Sequence, residues 1–188
     1  MPEEFPLPAV SDDLRALIDG WTSVPVFVRD RHLTVVASNA LARAVSPSFD
    51  VGINIPRYTF LHGIGDVVEC DRGEIISQVA AVLRDSLLQH DPDAQFQKIV
   101  GELSANSDDF SQKWADDSRH ADQSGTTTVN NAMVGTITLA YQQLHFPDDF
   151  ELVLVVWRGV DEPSRRALAQ LADIIAGLPG SDPSTGSH

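Results

Sequence analysis

The sequence contains little cysteine, few basic residues and no long apolar run. Its 188 residues include one cysteine, Cys70, and 13 basic against 27 acidic residues. One cysteine excludes an internal disulfide framework, and Glu3 and Glu4 stand where a signal peptide has basic residues, so we expect a cytoplasmic protein. No apolar run reaches the length of a membrane span. The net charge of −14 argues against direct binding to nucleic acid phosphates.

Motifs of catalysis and metal binding are also lacking. The sequence has no P-loop, no G-x-G-x-x-G, no G-x-S-x-G and no H-E-x-x-H, and its six histidines are scattered singly. We therefore predict no cofactor and no metal site. One catalytic arrangement is conceivable, with Cys70 as nucleophile and His62 and Asp66 as base and orienting group. A single cysteine is more often an inert small core residue.

Hydrophobic periodicity and capping residues predict the helices. The clearest helix covers Gly73 to His90. Ser11 caps a first helix, and a short helix covers Ala40–Val45. Another helix carries Phe96, Ile99, Val100 and Leu103, and the next one, capped by Ser107, presents Phe110 and Trp114. The last helix begins at Asp161–Ser164 and ends at Gly177. All of them would present an apolar stripe to a core.

Five stretches read as strands, because they are rich in β-branched residues or alternate in polarity. They are Val24–Val28, Leu33–Ala37, Ser124–Val129, Val134–Gln142 and Leu152–Trp157, with a turn over Arg29–His32. The last of them is almost continuously apolar, which fits a central strand buried on both faces. Two strands, a block of helices and three strands predict an α+β fold, with a five-stranded antiparallel sheet and helices packed on one face.

Residues 1–10 hold three prolines and two glutamates, and we expect an extended lead-in there. Residues 11–177 then form one domain, flanked by its N- and C-terminal helices. Residues 178–188 are small and polar, and we expect a disordered tail.

Three motifs resemble those of one known family. Val100-Gly101-Glu102-Leu103-Ser104, followed by Ser107 to Phe110 and by Trp114, is similar to the VGELS…SPEF…LW signature of the MmyB-like (MltR-type) regulator ligand-binding domain. Asn54 to Leu61 resembles the family's N-x-x-R-x-x-F-L, and Val134 to Tyr141 its V-G-E-L-T-L-x-Y. The resemblance spans roughly residues 14–157 in the family's order.

The resemblance implies a PAS-like fold and a sensory function. The domain would bind a small apolar or amphipathic ligand, such as a fatty acid or a secondary-metabolite intermediate, and control transcription through a linked or partner DNA-binding domain. Members of the family usually carry a helix-turn-helix domain before the first helix, and the ten residues here leave no space for one. Either that domain was removed or the chain is a stand-alone copy of the sensory half.

Two stretches depart from the family pattern. After Phe60-Leu61 the sequence has His62 to Asp66 in place of an Asp-Pro-x-Ala-Arg-like run. Before the fourth strand, Asn131 to Gly135 lacks the family's histidine and proline. Because of these departures, a ligand or partner of other family members does not transfer directly to this chain, whereas the fold prediction is unaffected.

A sheet facing short helices would enclose a cleft lined by apolar and aromatic side chains. The candidate ligand-binding residues are Phe27, Arg57, Tyr58, Phe60, Leu83, Leu87, Leu103, Phe110, Trp114, Ile137, Leu139, Tyr141 and Trp157. Most aromatic residues at such spacings simply fill a core. Arg57, the main polar candidate, would either pair with a ligand carboxylate or form an ion pair with one of the many acidic residues.

Two alternatives to the sensor remain open. The domain could be recruited as a biosynthetic enzyme for a hydrophobic substrate, with His62, Asp66, His145 and Tyr58 as acid or base candidates. It could also be a dimerisation module with a filled core and no ligand. In the preferred interpretation, the chain binds a small ligand and forms a homodimer through its first and last helices. It binds neither nucleic acid nor a membrane directly.

Overall fold

The structure is a computed structural model that describes residues 7–116, 118–146 and 151–177. Its helices are α1 (Asp12–Asp19), α2 (Ala40–Val45), α3 (Ile55–Arg57), α4 (Glu69–Gln89), α5 (Ala94–Asn106), α6 (Asp108–Ala115) and α7 (Glu162–Gly177). Its strands are β1 (Val26–Asp30), β2 (Val35–Ser38), β3 (Ser124–Asn131), β4 (Gly135–His145) and β5 (Leu152–Gly159). A 3₁₀ turn covers Pro47–Phe49, and a π-helical turn, Tyr58–His62, continues α3.

The five strands form one antiparallel sheet in the order β2-β1-β5-β4-β3. The helices α2 to α6 lie between β2 and β3 in the chain. The predicted α+β, PAS-like fold is therefore confirmed, and β5 is the central strand that its apolar run indicated.

Capping side chains set where several helices begin. Ser11 accepts a hydrogen bond from the Leu14 amide (3.2 Å) at the start of α1, and Asp93 accepts one from Phe96 (2.8 Å) at the start of α5. Ser107 caps α6 through the Phe110 amide (3.2 Å). These side chains satisfy amides that would otherwise lack a partner in the first turn.

Some boundaries differ from the sequence prediction. Helix α4 begins at Glu69, four positions before the predicted Gly73. Residues Arg29 and Asp30 belong to β1 and not to the turn, because they continue the ladder with Val153 and Leu152 of β5. The predicted disordered tail, residues 178–188, lies outside the described residues.

The sheet buries side chains on both faces. On the outer face, Val26, Val28 and Leu154 pack with Ile18 of α1. On the inner face, Phe27, Val155 and Trp157 share a core with α2 and α7, so these three side chains face the helices. The cavity described below lies on this inner face.

A separate cluster, which we call the helical core, lies among α4, α5 and α6. It consists of Leu33, Val82, Leu83, Phe96, Ile99, Leu103 and Phe110. Phe110 is fully buried and stacks on Trp114, with 5.2 Å between ring centroids. The helical core anchors the block of helices that covers the inner face.

Candidate functional site

The inner face of the sheet and the covering helices enclose a cavity of about 380 Å³, which we call the sheet cavity. Its size is near the lower end of the range found for small-molecule sites. Its walls come from β1, β3, β4 and β5, from the segment around Pro47–Phe49 and from α4. The lining side chains are mainly apolar or aromatic, among them Phe27, Leu33, Phe49, Ile55, Ile64, Val67, Ile75, Val79, Val82, Val129, Tyr141, Val155 and Trp157.

The residues that line the cavity extend along β4. Its wall includes Gln143 at one end and Val129 at the other, and Val129 pairs with Ile137 of β4. At about 3.3 Å per residue, the six positions from Ile137 to Gln143 correspond to roughly 20 Å. A ligand that contacts residues at both ends of this wall would therefore be extended.

One end of the sheet cavity is marked by a buried guanidinium. Arg29 projects from β1 and donates a hydrogen bond from Nη2 to Oε1 of Gln143 (2.7 Å) and one from Nη1 to the Asp30 carbonyl (3.2 Å). Gln143 in turn donates to the Asp122 carbonyl (3.0 Å). Burial lowers the pKa of Arg29 to about 10, with the charge of Asp30 acting in the opposite direction. The group is therefore still a cation at neutral pH.

The opposite end carries an acid and two hydroxyls. Ser46 Oγ donates a hydrogen bond to Oδ2 of Asp66 and lies 2.8 Å from Oγ of Ser48. All three residues line the cavity. The two ends thus differ in charge, with the cation of Arg29 at one and the carboxylate of Asp66 at the other.

Polar residues also surround the cavity between α4 and the start of β3. Gln78 Nε2 donates to the Asp122 carbonyl (2.8 Å), and Gln78 Oε1 accepts from the Asp122 amide (3.1 Å). Arg119 forms ion pairs with Glu74 and Asp122, whose side chains are more than half exposed. Because Glu74, Gln78 and Asp122 line the cavity and reach solvent, this is where the cavity opens.

Tyr141 lies beside this opening, against a glycine of the neighbouring strand. Gly125 pairs with Tyr141, and a Cβ at position 125 would lie 2.9 Å from the tyrosine ring. Burial, followed by the charges of Asp122 and Glu74, raises the pKa of Tyr141 to about 12. The phenol therefore stays protonated at neutral pH and can donate a hydrogen bond.

Two buried donors in the cavity wall lack a partner among the described residues. They are Oγ of Thr127 and Nε1 of Trp157, in side chains that are more than nine-tenths buried. Buried polar groups are nearly always hydrogen-bonded in native proteins. A polar atom of a ligand, or a water, would satisfy them.

The structure separates the thirteen predicted ligand-binding residues. Phe27, Tyr141 and Trp157 line the sheet cavity. Ile137 and Leu139 are fully buried in the core beside it, and Tyr58 packs against that core with its ring 6.3 Å from the ring of His62.

The remaining seven residues do not line the sheet cavity. Leu83, Leu103 and Phe110 are part of the helical core, and Phe60, Leu87 and Trp114 pack against it. Arg57 forms an ion pair with Glu102, which was one of the two alternatives predicted for it. Its Nε and Nη2 both lie 2.8 Å from Oε2 of Glu102. A ligand-binding role for any of the thirteen stays a prediction.

Apart from the ring contact between Tyr58 and His62, the hydrogen bonds found for the candidate catalytic groups go to other partners. Cys70 is exposed on α4, and the hydrogen bond from its Sγ to Asp71 (3.3 Å) raises the pKa of the thiol, which disfavours the nucleophilic thiolate. Asp66 accepts from Ser46 at the end of the cavity. His145 lies 3.2 Å from Gln123, and burial together with the charge of Arg29 lowers its pKa.

Within the described ranges, no group of three His, Cys, Asp or Glu side chains could hold a metal ion. Among the same residues, none of the helices is long and apolar enough to cross a membrane.

Sequence reasoning missed the polar groups of the site, Arg29, Thr127 and Gln143. For Arg29 a signal was present, since a charged residue two positions after Phe27 in a β-branched run shares its face of the strand. For Thr127 and Gln143 only the register of β3, β4 and β5 brings the side chains together. Local periodicity does not contain that information.

Comparisons with known proteins place the chain in a family. The family described as MmyB-like transcription regulator ligand binding domain matches residues 10–171. A search of curated proteins found no match. Among solved structures, the chain is similar to the PAS domain of BvgS from Bordetella pertussis, with 15% identity, a TM-score of 0.36 and coverage of 89% of this chain and 97% of that one.

It is also similar to the PAS domain of an HTR-like protein from Haloarcula marismortui, with 16% identity, a TM-score of 0.35 and coverage of 79% of this chain and 95% of that one. The match to the family covers most of the described residues, including all five strands of the sheet. The chain therefore belongs to the MmyB-like transcription regulator ligand-binding domain family.

Proposed function

We propose that this domain senses a small apolar or amphipathic molecule, a fatty acid or a secondary-metabolite intermediate, and passes its binding state to a linked or partner DNA-binding domain. The observation that carries the proposal is the sheet cavity, a mostly apolar space with an opening to solvent, in a chain of a ligand-binding family. A dimerisation module with a filled core would have no such cavity.

The mechanism follows from differential binding. A ligand shifts the equilibrium between two conformations only by the difference in its affinity for them. Ligand in the sheet cavity contacts both the sheet and α4, so occupancy would stabilise the conformation in which they are closed on each other. We propose that α1 and α7, at the ends of the domain, carry this change to a second copy of the chain in a cytoplasmic homodimer.

The first test is to denature the purified protein and identify any co-purified molecule by mass spectrometry. A stoichiometric fatty acid or metabolite would support the proposal and name the ligand class. An empty protein that also shows no thermal shift with a panel of fatty acids would contradict it.

The second test compares two adjacent positions of β5 that face opposite ways. Val155 lines the sheet cavity, whereas Val156 lies on the outer face beside the cluster of α1. We expect Val155→Phe to fill the cavity and lower the affinity for the identified ligand by about tenfold or more, which is 1.4 kcal/mol. Val156→Phe adds the same atoms elsewhere and serves as the control. Equal affinities for both variants would show that the ligand binds outside the cavity.

A further inference from the structure

We propose that Arg29 is the anion-binding residue of the sheet cavity, and that its ligand carries one carboxylate at that end and an apolar chain directed toward Val129. The inference rests on the proposed function and adds the residue that binds the anionic group of the ligand and the orientation of the ligand. The juxtaposition that carries it is a buried guanidinium, hydrogen-bonded only to neutral acceptors, at one end of a mostly apolar cavity.

The charge of Arg29 is offset only in part, by the carboxylate of the adjacent Asp30, with which it forms no ion pair. Its two hydrogen bonds go to an amide oxygen and a main-chain carbonyl, and it takes part in no ion pair with residues 7–116, 118–146 or 151–177. The neighbouring carboxylate, that of Asp30, accepts hydrogen bonds from the amides of His32 and Thr34 (2.9 and 2.8 Å) and faces the His32 ring. The effect of burial on the Arg29 cation outweighs that of the Asp30 charge, so a ligand anion in contact with the guanidinium would be stabilised here.

The guanidinium also has donors to offer. Arginine has five N–H groups, and the two bonds to Gln143 and Asp30 use one each from Nη1 and Nη2. The remaining donors have no acceptor in the described part of the chain. A planar guanidinium binds a carboxylate through two parallel hydrogen bonds, which favours a carboxylate over a neutral alcohol or ester.

The other charges of the cavity fix the direction of the ligand. Asp66 lies at the opposite end, and Glu74 and Asp122 lie at the opening. Each of these carboxylates would repel a ligand anion, whereas the apolar wall between them and Arg29 suits a hydrocarbon chain. Arg57, the other arginine considered for this role, is already paired with Glu102.

Gln143 keeps Arg29 in place without neutralising it. A glutamine presents one oxygen to Nη2 and uses its NH₂ group on the Asp122 carbonyl. A glutamate at this position would have almost the same shape and would supply the missing negative charge from within the protein. This makes Gln143→Glu the most direct test of the inference.

The experiment measures binding of dodecanoate and of methyl dodecanoate by calorimetry at neutral pH. These probes have the same chain and differ in the carboxylate. We expect the natural protein to bind dodecanoate at least about tenfold more tightly than the ester. In Gln143→Glu and in Arg29→Met we expect this preference to disappear while the ester still binds, and in the control Arg57→Met we expect it to remain.

The outcomes separate this inference from the proposed function. Equal binding of the two probes by the natural protein would overturn the role of Arg29 and leave the apolar-ligand sensor standing. Binding of neither probe would count against both. A preference that persists in Gln143→Glu would also overturn the inference, and this variant decides the matter if Arg29→Met does not fold.

Discussion

The helical core and the sheet cavity lie close together in one domain and are built differently. In the helical core, Leu83, Leu103 and Phe110 have no exposed surface at all. In the sheet cavity, Thr127 and Trp157 have polar atoms without a partner among the described residues, and about 380 Å³ of space is open. The residues that resemble the family signature, Val100–Ser104, Ser107–Phe110 and Trp114, fall in or beside the first region. In this chain, the stretch that carries the family resemblance therefore packs into the scaffold, whereas less distinctive strands form the wall of the cavity.

The largest effect is expected from truncating the helical core. The ring of Phe110 packs against those of Phe60 and Trp114, with 5.1 and 5.2 Å between ring centroids. Phe110→Ala therefore removes buried aromatic packing and leaves a void. We expect a loss of about 4 kcal/mol in the free energy of unfolding, measured by urea denaturation.

Leu88→Ala is the matched control for this change, because Leu88 is 75% exposed. It should cost less than about 0.5 kcal/mol. If Phe110→Ala cost about as little, the helical core would not be the close-packed scaffold described above.

A smaller effect of the opposite sign is expected in the wall of the sheet cavity. Thr127→Val replaces a buried hydroxyl that lacks a partner in the described structure by a methyl group of similar size. We expect the ligand-free protein to gain about 1 kcal/mol in the free energy of unfolding, because the cost of burying the hydroxyl is removed.

Thr126→Val is the control, since Thr126 precedes it on β3 and is exposed. It should change the free energy of unfolding by less than about 0.5 kcal/mol. Destabilisation by Thr127→Val would mean that the hydroxyl has a partner in solution, and the contrast between filled core and unsatisfied cavity would be weakened.

The smallest effect concerns pH and belongs to the helical core. His32 packs on Phe96, with 4.5 Å between ring centroids, and its Nε2 lies 2.9 Å from Oδ2 of Asp93. Burial works to lower the pKa of His32, but hydrogen bonds and charges from Asp30 and Asp93 outweigh it, and the pKa is raised. A raised pKa in the folded state means that the protonated ring stabilises the fold.

This contribution is fully present below the unfolded-state pKa of about 6.5 and is lost as the pH rises through the higher folded-state value. We therefore expect the free energy of unfolding to fall between slightly acid and alkaline pH in the natural protein, and to fall less in His32→Gln. Chemical denaturation at a series of pH values measures the free energy of unfolding of the natural protein and of His32→Gln. Parallel curves for the two proteins would exclude His32 as the source.

Local patterns predicted the elements well because their causes are local. Ser11 and Ser107 cap helices through amides three residues away, and the apolar run of β5 reflects burial on both faces of a central strand. The predicted start of α4, Gly73, is four residues too late. Glu69 and Asp71 in its first turn suit the helix dipole, and Gly73 inside the helix was read as its beginning.

The cavity was harder to predict, because its wall is assembled from distant parts of the chain. Pattern reasoning grouped Phe27, Tyr141 and Trp157 with residues such as Leu103 and Trp114, since all are apolar or aromatic at core-like spacings. The structure places the first three around the cavity and the last two in or against the helical core. Both environments require the same kinds of side chain, so composition does not distinguish them.

The sequence by itself determined the order of helices and strands, the central strand, the caps and the family, because each depends on residues near one another in the chain. Only the tertiary structure decided which arginine forms an ion pair and which one is hydrogen-bonded to a neutral side chain. Arg57 meets Glu102 across 45 positions, and Arg29 meets the neutral Gln143 across 114. The physical reason is that the cost of a buried charge depends on its neighbours in space, and strand register selects those neighbours.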